Sequence, residues 1–184
     1  MTKVSVYCAF LRGVNVNGRN MKMAEVCEVF RAAGMTDVSS VLATGNILFR
    51  SDVPAAELRG KLERAMSDYY SYGASLFIKT DGEVKLVLGS VPFVPVPELH
   101  IYAFITEQGF EKILAEKFAQ ITPAQREAAA VKNGIFYWQV PKGLTLDAGF
   151  STILGRKDMK DQFTSRNLNT MQKIVDKMDA TPHG

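Results

Sequence analysis

The sequence is poor in the residues from which most metal sites and disulfide-rich folds are built. Among 184 residues there are two cysteines and two histidines, and none of these four lies close to another along the chain. Zinc sites and disulfide frameworks need closely spaced sets of such residues, so the sequence argues against both. We read Cys8 and Cys27 as buried thiols in a reducing compartment, place His183 in the tail, and expect neither a metal nor a cofactor.

Long hydrophobic runs and concentrated charge are also missing. The apolar run at residues 4–11 is too short to span a membrane, and polar residues follow it where a signal peptide needs small ones. Lysines and arginines total 22 against 19 acidic residues, a net charge of +3, which is far below that of a specialised nucleic-acid binder. We therefore expect a cytoplasmic protein without membrane association. A hydrophobic content of 47% is ample for a globular core.

Residues 1–80 predict a ferredoxin-like first half. Residues 4–11 are apolar at nearly every position, which predicts a strand buried largely on both faces. Apolar residues then recur with helical spacing as far as Gly34, which is a good helix terminator. Two short strand patterns follow at 38–42 and 47–50. A helix beginning near Pro54 and a fourth strand at 74–79 come next. The order strand, helix, strand, strand, helix, strand is the split βαβ arrangement.

The rest of the chain predicts a connector and a second, partial half. Residues 81–98 read as a short helix capped by Asp81, followed by a proline-rich connector at 91–97. Residues 99–184 predict strands at 100–105, 129–132 and 135–140, and helices at 110–118, 148–156 and 167–178. The fold class is therefore α+β, with two ferredoxin-like halves, the second partial, and an extra C-terminal helix.

One segment of the second half allows two readings. Residues 122–125 resemble a helix capping box, and the alanines at 128–130 favour a helix. Asn133 and Gly134, however, are typical of a tight hairpin turn leading into the apolar run that follows. We favour a strand over 129–132.

The loop after the first strand is the segment with the clearest functional composition. It combines three cations with asparagines and glycines: Arg12, Gly13, Asn15, Asn17, Gly18, Arg19, Asn20 and Lys22. Arginine forks and closely approaching backbone N–H groups bind phosphates and carboxylates, and the positive end of the helix beginning near Met21 or Lys22 would point there too. No Walker pattern occurs. The alternative is that the asparagines only satisfy a tight turn at residues 17–18.

A second polar cluster lies where we predict the start of the last helix. Its candidate ligand residues are Arg166, Asn167, Asn169 and Thr170. An arginine in the first turn of a helix is unfavourable unless an anion or an acidic group offsets the helix dipole. The alternative is that Ser165 or Asn167 caps the helix while Arg166 pairs with a carboxylate such as Asp161.

Two further positions are weaker candidates. Gly45 and Asn46 read mainly as a hairpin turn, although they would lend an amide if they lay beside the arginine loop. His100 begins a strand without a serine or cysteine partner, so we assign it a structural role.

Three segments together resemble DUF1697, a bacterial family of proteins of unknown function. They are residues 10–18 (FLRGVNVNG), residues 44–49 (TGNILF) and residues 164–170 (TSRNLNT) with Lys173, in matching order over nearly the whole chain. This chain differs from the usual pattern mainly at Leu168, where the family carries tryptophan. The resemblance implies an α+β fold of two ferredoxin-like halves and no established activity.

The leading hypothesis is a module that binds a phosphate-bearing or other anionic small molecule. Arg12, Arg19 and Arg166 would donate to the anion, and neighbouring asparagines would orient the ligand. Alternatives are RNA binding on an open sheet carrying Tyr7 and Phe49, a small transferase or hydrolase whose base is unidentified, and a purely structural or interaction role. The sequence predicts no oligomeric state.

Overall fold

A computed structural model describes residues 4–14 and 20–181 of the chain. These residues form eight strands and six helices, which pack into two compact units. Unit 1 contains the residues up to Lys85 together with those from Gln172 onward, and unit 2 runs from Leu86 to Met171. The domain boundaries predicted at residues 80 and 98 stay a prediction.

Unit 1 contains the predicted ferredoxin-like arrangement. Its elements are β1 (Ser5–Leu11), α1 (Met23–Ala32), β2 (Thr36–Ser40), β3 (Asn46–Ser51), α2 (Ala55–Tyr70) and β4 (Leu76–Thr80). The strands form one antiparallel sheet in the order β2-β3-β1-β4. The prediction for the first half is therefore confirmed.

Both faces of the unit 1 sheet are apolar because β1 is apolar at odd and even positions alike. Tyr7 and Phe49 lie directly opposite each other and belong to the same core as the buried side chains of α1 and α2. On the other face, Cys8, Phe10 and Phe77 are also buried. The sheet consequently has the two-sided hydrophobic pattern that the sequence predicts for its first strand.

A third helix, α3 (Asp81–Gly89), follows β4 without a loop. Its first turn is closed by a reciprocal pair: the Glu83 N–H donates to Thr80 Oγ1 at 3.3 Å, and the Thr80 N–H donates to Glu83 Oε2 at 2.8 Å. This is a capping box in which Thr80, rather than the predicted Asp81, is the cap. Asp81 instead accepts a hydrogen bond from Lys85.

Unit 2 repeats the topology of unit 1 in full. Its elements are β5 (Leu99–Thr106), α4 (Phe110–Ala119), β6 (Ala128–Lys132), β7 (Ile135–Pro141), α5 (Gly149–Leu154) and β8 (Phe163–Asn167), with strand order β6-β7-β5-β8. The favoured strand at 129–132 is present as β6. The predicted partial half is completed by β8, a strand that the sequence pattern does not indicate. The predicted α+β fold with two ferredoxin-like halves is thus confirmed, and each half contains a four-stranded antiparallel sheet.

Aromatic rings dominate the core of unit 2. Phe104, Phe136, Trp138 and Phe150 contact one another edge-on or tilted, with centroids 5.0–6.5 Å apart. Tyr137 points to the opposite face of the sheet, where its hydroxyl donates to Val87 O at 2.6 Å. Burial raises the pKa of Tyr137 to about 12.

The last helix, α6 (Leu168–Ala180), begins in unit 2 and continues into unit 1. Its part within unit 1 makes two polar contacts there. Lys177 Nζ donates to Ser40 O at 2.8 Å, and Asp179 Oδ1 lies 2.7 Å from Lys85 Nζ. None of the described helices is long and apolar enough to cross a membrane.

Candidate functional site

The loop after β1 is anchored to two neighbouring segments of unit 1. The Leu11 N–H donates to Gly45 O at 2.8 Å, and the Arg12 N–H donates to Ser75 O at 3.0 Å. The candidates Asn15, Asn17, Gly18 and Arg19 lie outside the described residues. The start of the loop is therefore held at a fixed place between the β2–β3 connection and the beginning of β4.

Gly45 packs directly against this loop. Its φ of +79° lies in the left-handed region that favours glycine. A Cβ at this position would lie 2.5 Å from Val14 Cγ2 and 3.0 Å from Leu11 Cβ, closer than side chains tolerate. Two of the three motif segments, residues 10–18 and 44–49, thus meet at a contact that only glycine permits.

Asn46 closes the same turn from inside. Its side chain is fully buried, and its Nδ2 donates to Val41 O at 3.0 Å and to Thr44 Oγ1 at 2.9 Å. The Val41 N–H also donates to Asn46 O. The predicted hairpin turn is present, and the Asn46 amide nitrogen is engaged in holding it.

Backbone N–H groups are available on the loop side of this contact. Gly13 has a φ of +64°, and within the described part of the chain no hydrogen bond engages the N–H of Gly13 or Val14. A left-handed residue in a turn lets successive N–H groups point toward one side, as in anion-binding nests. The side chain of Arg12 is half-buried beside them.

The helix that follows the loop begins at Met23, one to two residues later than predicted. Its N-cap residue is Lys22, and among residues 4–14 and 20–181 no side chain accepts a hydrogen bond from the first N–H groups of α1. Lys22 Nζ lies 3.9 Å from Glu25 Oε1 at the surface, and Asn20 is exposed. The positive end of the α1 dipole is partly offset by Glu25.

The third motif segment lies in unit 2, and its predicted geometry is wrong in one respect. Arg166 is in β8, not in the first turn of a helix, because the backbone of residues 163–167 pairs with β5 and Arg166 lies opposite Ala103. Its guanidinium donates to Thr164 Oγ1 at 2.6 Å and to Ser165 O at 2.9 Å. The unfavourable helix position that made Arg166 a candidate therefore does not exist.

Asn167 is the cap of α6, as the alternative reading holds. Its Oδ1 accepts the Thr170 N–H at 2.9 Å, which is the usual bond of an N-cap asparagine. Thr170 is buried, whereas Asn169 is exposed on the first turn. Of the four candidates in this segment, Asn167 and Asn169 face the cavity described next.

A cavity of about 340 Å³ lies at the edge of the unit 2 sheet. We call it the proline pocket; among its lining residues are Pro95, Pro97, His100, Lys142, Leu168 and Asn169. Sequence reasoning assigned His100 a structural role and did not single out Lys142. Their juxtaposition follows from the β5–β7 pairing, in which Leu99 lies opposite Pro141.

The residues proposed to stack RNA bases are not available for that role. Tyr7 and Phe49 are 6% and 1% exposed, and their rings stack on each other with centroids 5.5 Å apart. The Tyr7 hydroxyl donates to Val53 O at 3.1 Å. Base stacking requires exposed rings, so these two residues provide no platform.

Comparison with known proteins finds one matching family and similar solved structures. The family model described as "Protein of unknown function (DUF1697)" matches residues 4–137. The chain is similar to the conserved bacterial protein SP0830 from Streptococcus pneumoniae, with 22% identity, coverage of 96% of this chain and 99% of the other, and a TM-score of 0.77. That likeness shows the fold.

A second structure, an unknown protein from Galdieria sulphuraria, shares 13% identity over 90% of this chain and 98% of its own, with a TM-score of 0.24. This low similarity supports no conclusion. No curated protein matches the chain.

Proposed function

We propose that this chain, which belongs to the DUF1697 family of proteins of unknown function, binds a small phosphorylated or otherwise anionic ligand at the loop following β1. The observation that carries the proposal is the contact of Gly45 with Leu11 and Val14. It holds two motif segments together at the point where the loop leaves the sheet. Neither segment needs so close an approach merely to form its own turn.

Three kinds of group support anion binding there. Among the described residues, no group accepts a hydrogen bond from the Gly13 or Val14 N–H and no side chain caps α1, and Arg12 is half-buried next to Gly13. Backbone N–H groups and an arginine fork together bind phosphate or carboxylate oxygens in many proteins. Because the Leu11 and Arg12 N–H groups donate to Gly45 O and Ser75 O, the start of the loop is already ordered, and little of its conformational entropy is lost on binding.

The test is a thermal-shift screen with inorganic phosphate, nucleotides and sugar phosphates at constant ionic strength. A ligand at 100 times its dissociation constant stabilises the folded state by about 2.7 kcal/mol. Arg12→Ala should abolish most of that stabilisation, and Arg12→Lys should restore it only in part because lysine cannot make the two-pronged contact. Arg64→Ala, which removes an exposed arginine from α2, is the matched control.

The result that contradicts the proposal is equally specific. If every stabilising compound acts equally on the Arg12→Ala and Arg64→Ala variants, the loop is not the binding site. If no compound stabilises the wild type more than an equal concentration of chloride, the protein does not bind this class of ligand.

We further propose that the protein acts in the cytoplasm. Both cysteines are buried thiols that form no disulfide, which suits a reducing compartment. Fractionation of cells that express the chain tests this, and recovery in a secreted or membrane fraction would oppose it.

A further inference from the structure

The proline pocket has the size and construction of a small-molecule site. Its volume of about 340 Å³ lies within the range of about 300–1,000 Å³ that is usual for ligand pockets. Three separate stretches of unit 2 form it: the connector at 95–97 with the start of β5, the residue after β7, and the junction of β8 with α6.

Backbone hydrogen bonds fix these stretches relative to one another. The Leu99 N–H donates to Val96 O at 3.2 Å, and the Lys142 N–H donates to Glu98 O at 3.0 Å. On the other side, β5 pairs with β8 so that Tyr102 lies opposite Asn167. The proline-rich connector is therefore a fixed wall of the pocket, and the cavity is present before any ligand arrives.

The polar groups of the lining have one electrostatic character. Lys142 contributes a cation, His100 an imidazole and Asn169 an amide, and the ten residues that line the cavity include no carboxylate. Glu98, the nearest acidic neighbour in sequence, is at the surface 3.9 Å from Arg126. Such a lining favours an anion over a cation.

The remaining walls are apolar. Pro95 and Pro97 form one side and Leu168 another. His100 packs against Tyr102, with ring centroids 5.8 Å apart, and Tyr102 in turn stacks on the buried Trp138 at 5.6 Å. The imidazole is thus supported by a row of rings that continues into the core.

We propose that the proline pocket is a second ligand site, which binds a small organic anion. The apolar body of the ligand, a ring or a short chain, lies between the prolines and Leu168. Its phosphate or carboxylate group contacts Lys142 and His100, with Asn169 as a further donor. All of these residues belong to unit 2, whereas the loop after β1 belongs to unit 1.

The test is a titration of the full chain, labelled with 15N, followed by amide chemical shifts. The probes are phenyl phosphate and benzoate, with benzyl alcohol as the uncharged analogue and inorganic phosphate as the anion without an apolar body. We expect phenyl phosphate or benzoate to shift the amide signals of Lys142, Leu168 and Asn169 saturably, and both single-feature probes to bind at least about tenfold more weakly.

Variants then assign the contacts. Lys142→Met should weaken binding by about tenfold or more, which corresponds to one lost hydrogen bond to a charged group. Lys157→Met, the same change at an exposed position of unit 2, should leave it unaltered. Leu168→Trp should reduce binding by filling the cavity, and the spectra of each variant report whether unit 2 remains folded.

Three results would overturn the inference. The first is that neither aromatic anion, at a concentration on the order of 10 mM, shifts the amide signals of the lining residues. The second is that the Lys142→Met and Lys157→Met variants bind the anions equally well. The third is that benzyl alcohol binds with the same affinity as the aromatic anions. Phenyl phosphate binding that persists in Arg12→Ala supports a separate second site. Binding that Arg12→Ala removes, without effect from Lys142→Met, assigns the ligand to the β1 loop instead.

Discussion

Gly45→Ala should destabilise unit 1 by about 2–5 kcal/mol. A residue with a Cβ at a φ of +79° costs about 1–2 kcal/mol relative to glycine. The new methyl group would in addition lie 2.5 Å from Val14 Cγ2 and 3.0 Å from Leu11 Cβ. Both side chains are buried, so the overlap can be relieved only by shifting the strand end or the loop, at about 1–3 kcal/mol.

Urea unfolding measured in parallel by far-ultraviolet circular dichroism and by tryptophan fluorescence separates the two units. Trp138 is the only tryptophan and lies in the core of unit 2, so its fluorescence follows that unit. Circular dichroism follows both. A transition seen in dichroism without a fluorescence change therefore belongs to unit 1, and Gly45→Ala should lower its midpoint.

Gly134→Ala is the matched control. Gly134 has a φ of +74°, yet a Cβ there would meet nothing within 4 Å, so this change should cost only the conformational penalty of about 1–2 kcal/mol for a left-handed residue with a side chain. Val14→Ala should partly rescue Gly45→Ala because it removes the closest atom. If Gly45→Ala costs no more than Gly134→Ala, or if Val14→Ala gives no rescue, the inferred contact between the two motif segments is wrong.

Two tyrosines with buried hydroxyl groups, Tyr70 and Tyr137, lead to the remaining predictions. Tyr137→Phe should destabilise the protein by about 1 kcal/mol because it removes the hydrogen bond to Val87 O. Tyr70→Phe should be neutral or stabilising because the buried Tyr70 hydroxyl has no hydrogen-bond partner among the described residues. Urea unfolding midpoints measure both effects, and equal losses of stability would refute the predicted difference. Burial raises the pKa of both tyrosines to about 12, above the usual value near 10, so folding favours the protonated form. Stability should therefore be unaffected by these groups below pH 10 and fall as the pH rises from 10 toward 12; melting temperatures across this range should fall less in the Tyr70→Phe/Tyr137→Phe double variant, and an identical fall would contradict the assignment.

The regular elements were largely predictable because their buried residues repeat with a clear period. The continuous apolar run around Tyr7 and the helical spacing around Phe30 identify β1 and α1 without further information. The strand β8 was not predictable, since Thr164, Ser165, Arg166 and Asn167 carry no apolar alternation. These residues are extended because their backbone pairs with β5, which is a tertiary effect.

The sequence also did not reveal which face of the unit 1 sheet is covered by helices. Tyr7 and Phe49 fit a base-stacking surface as well as a helix-covered core, because both environments need aromatic residues on neighbouring strands. Packing of α1 and α2 decides between them. Similarly, Thr80 and Asp81 are both good caps, and only the reach of Glu83 back to the Thr80 N–H distinguishes them.

The candidate sites were likewise predictable only in part from the sequence. The composition of the β1 loop predicts an anion site. Its contact with Gly45 depends on strand order, so the sequence could say only what Gly45 would do if it lay beside the loop. The proline pocket was missed because His100 and Lys142 are far apart along the chain and become neighbours only through the β5–β7 register. The available signal in the sequence was the proline-rich connector at 91–97, which becomes a pocket wall once β5 and β7 are paired.

The division of unit 1 into two stretches of chain has a consequence for its biosynthesis. Unit 2 is continuous, whereas the contacts of Lys177 with Ser40 and of Asp179 with Lys85 join the early and late parts of unit 1. At roughly 5–20 residues per second, the ribosome needs on the order of 4–17 s to make the intervening residues. During that interval the nascent unit 1 lacks its final helical segment, so the first unit to begin emerging is the last to be completed.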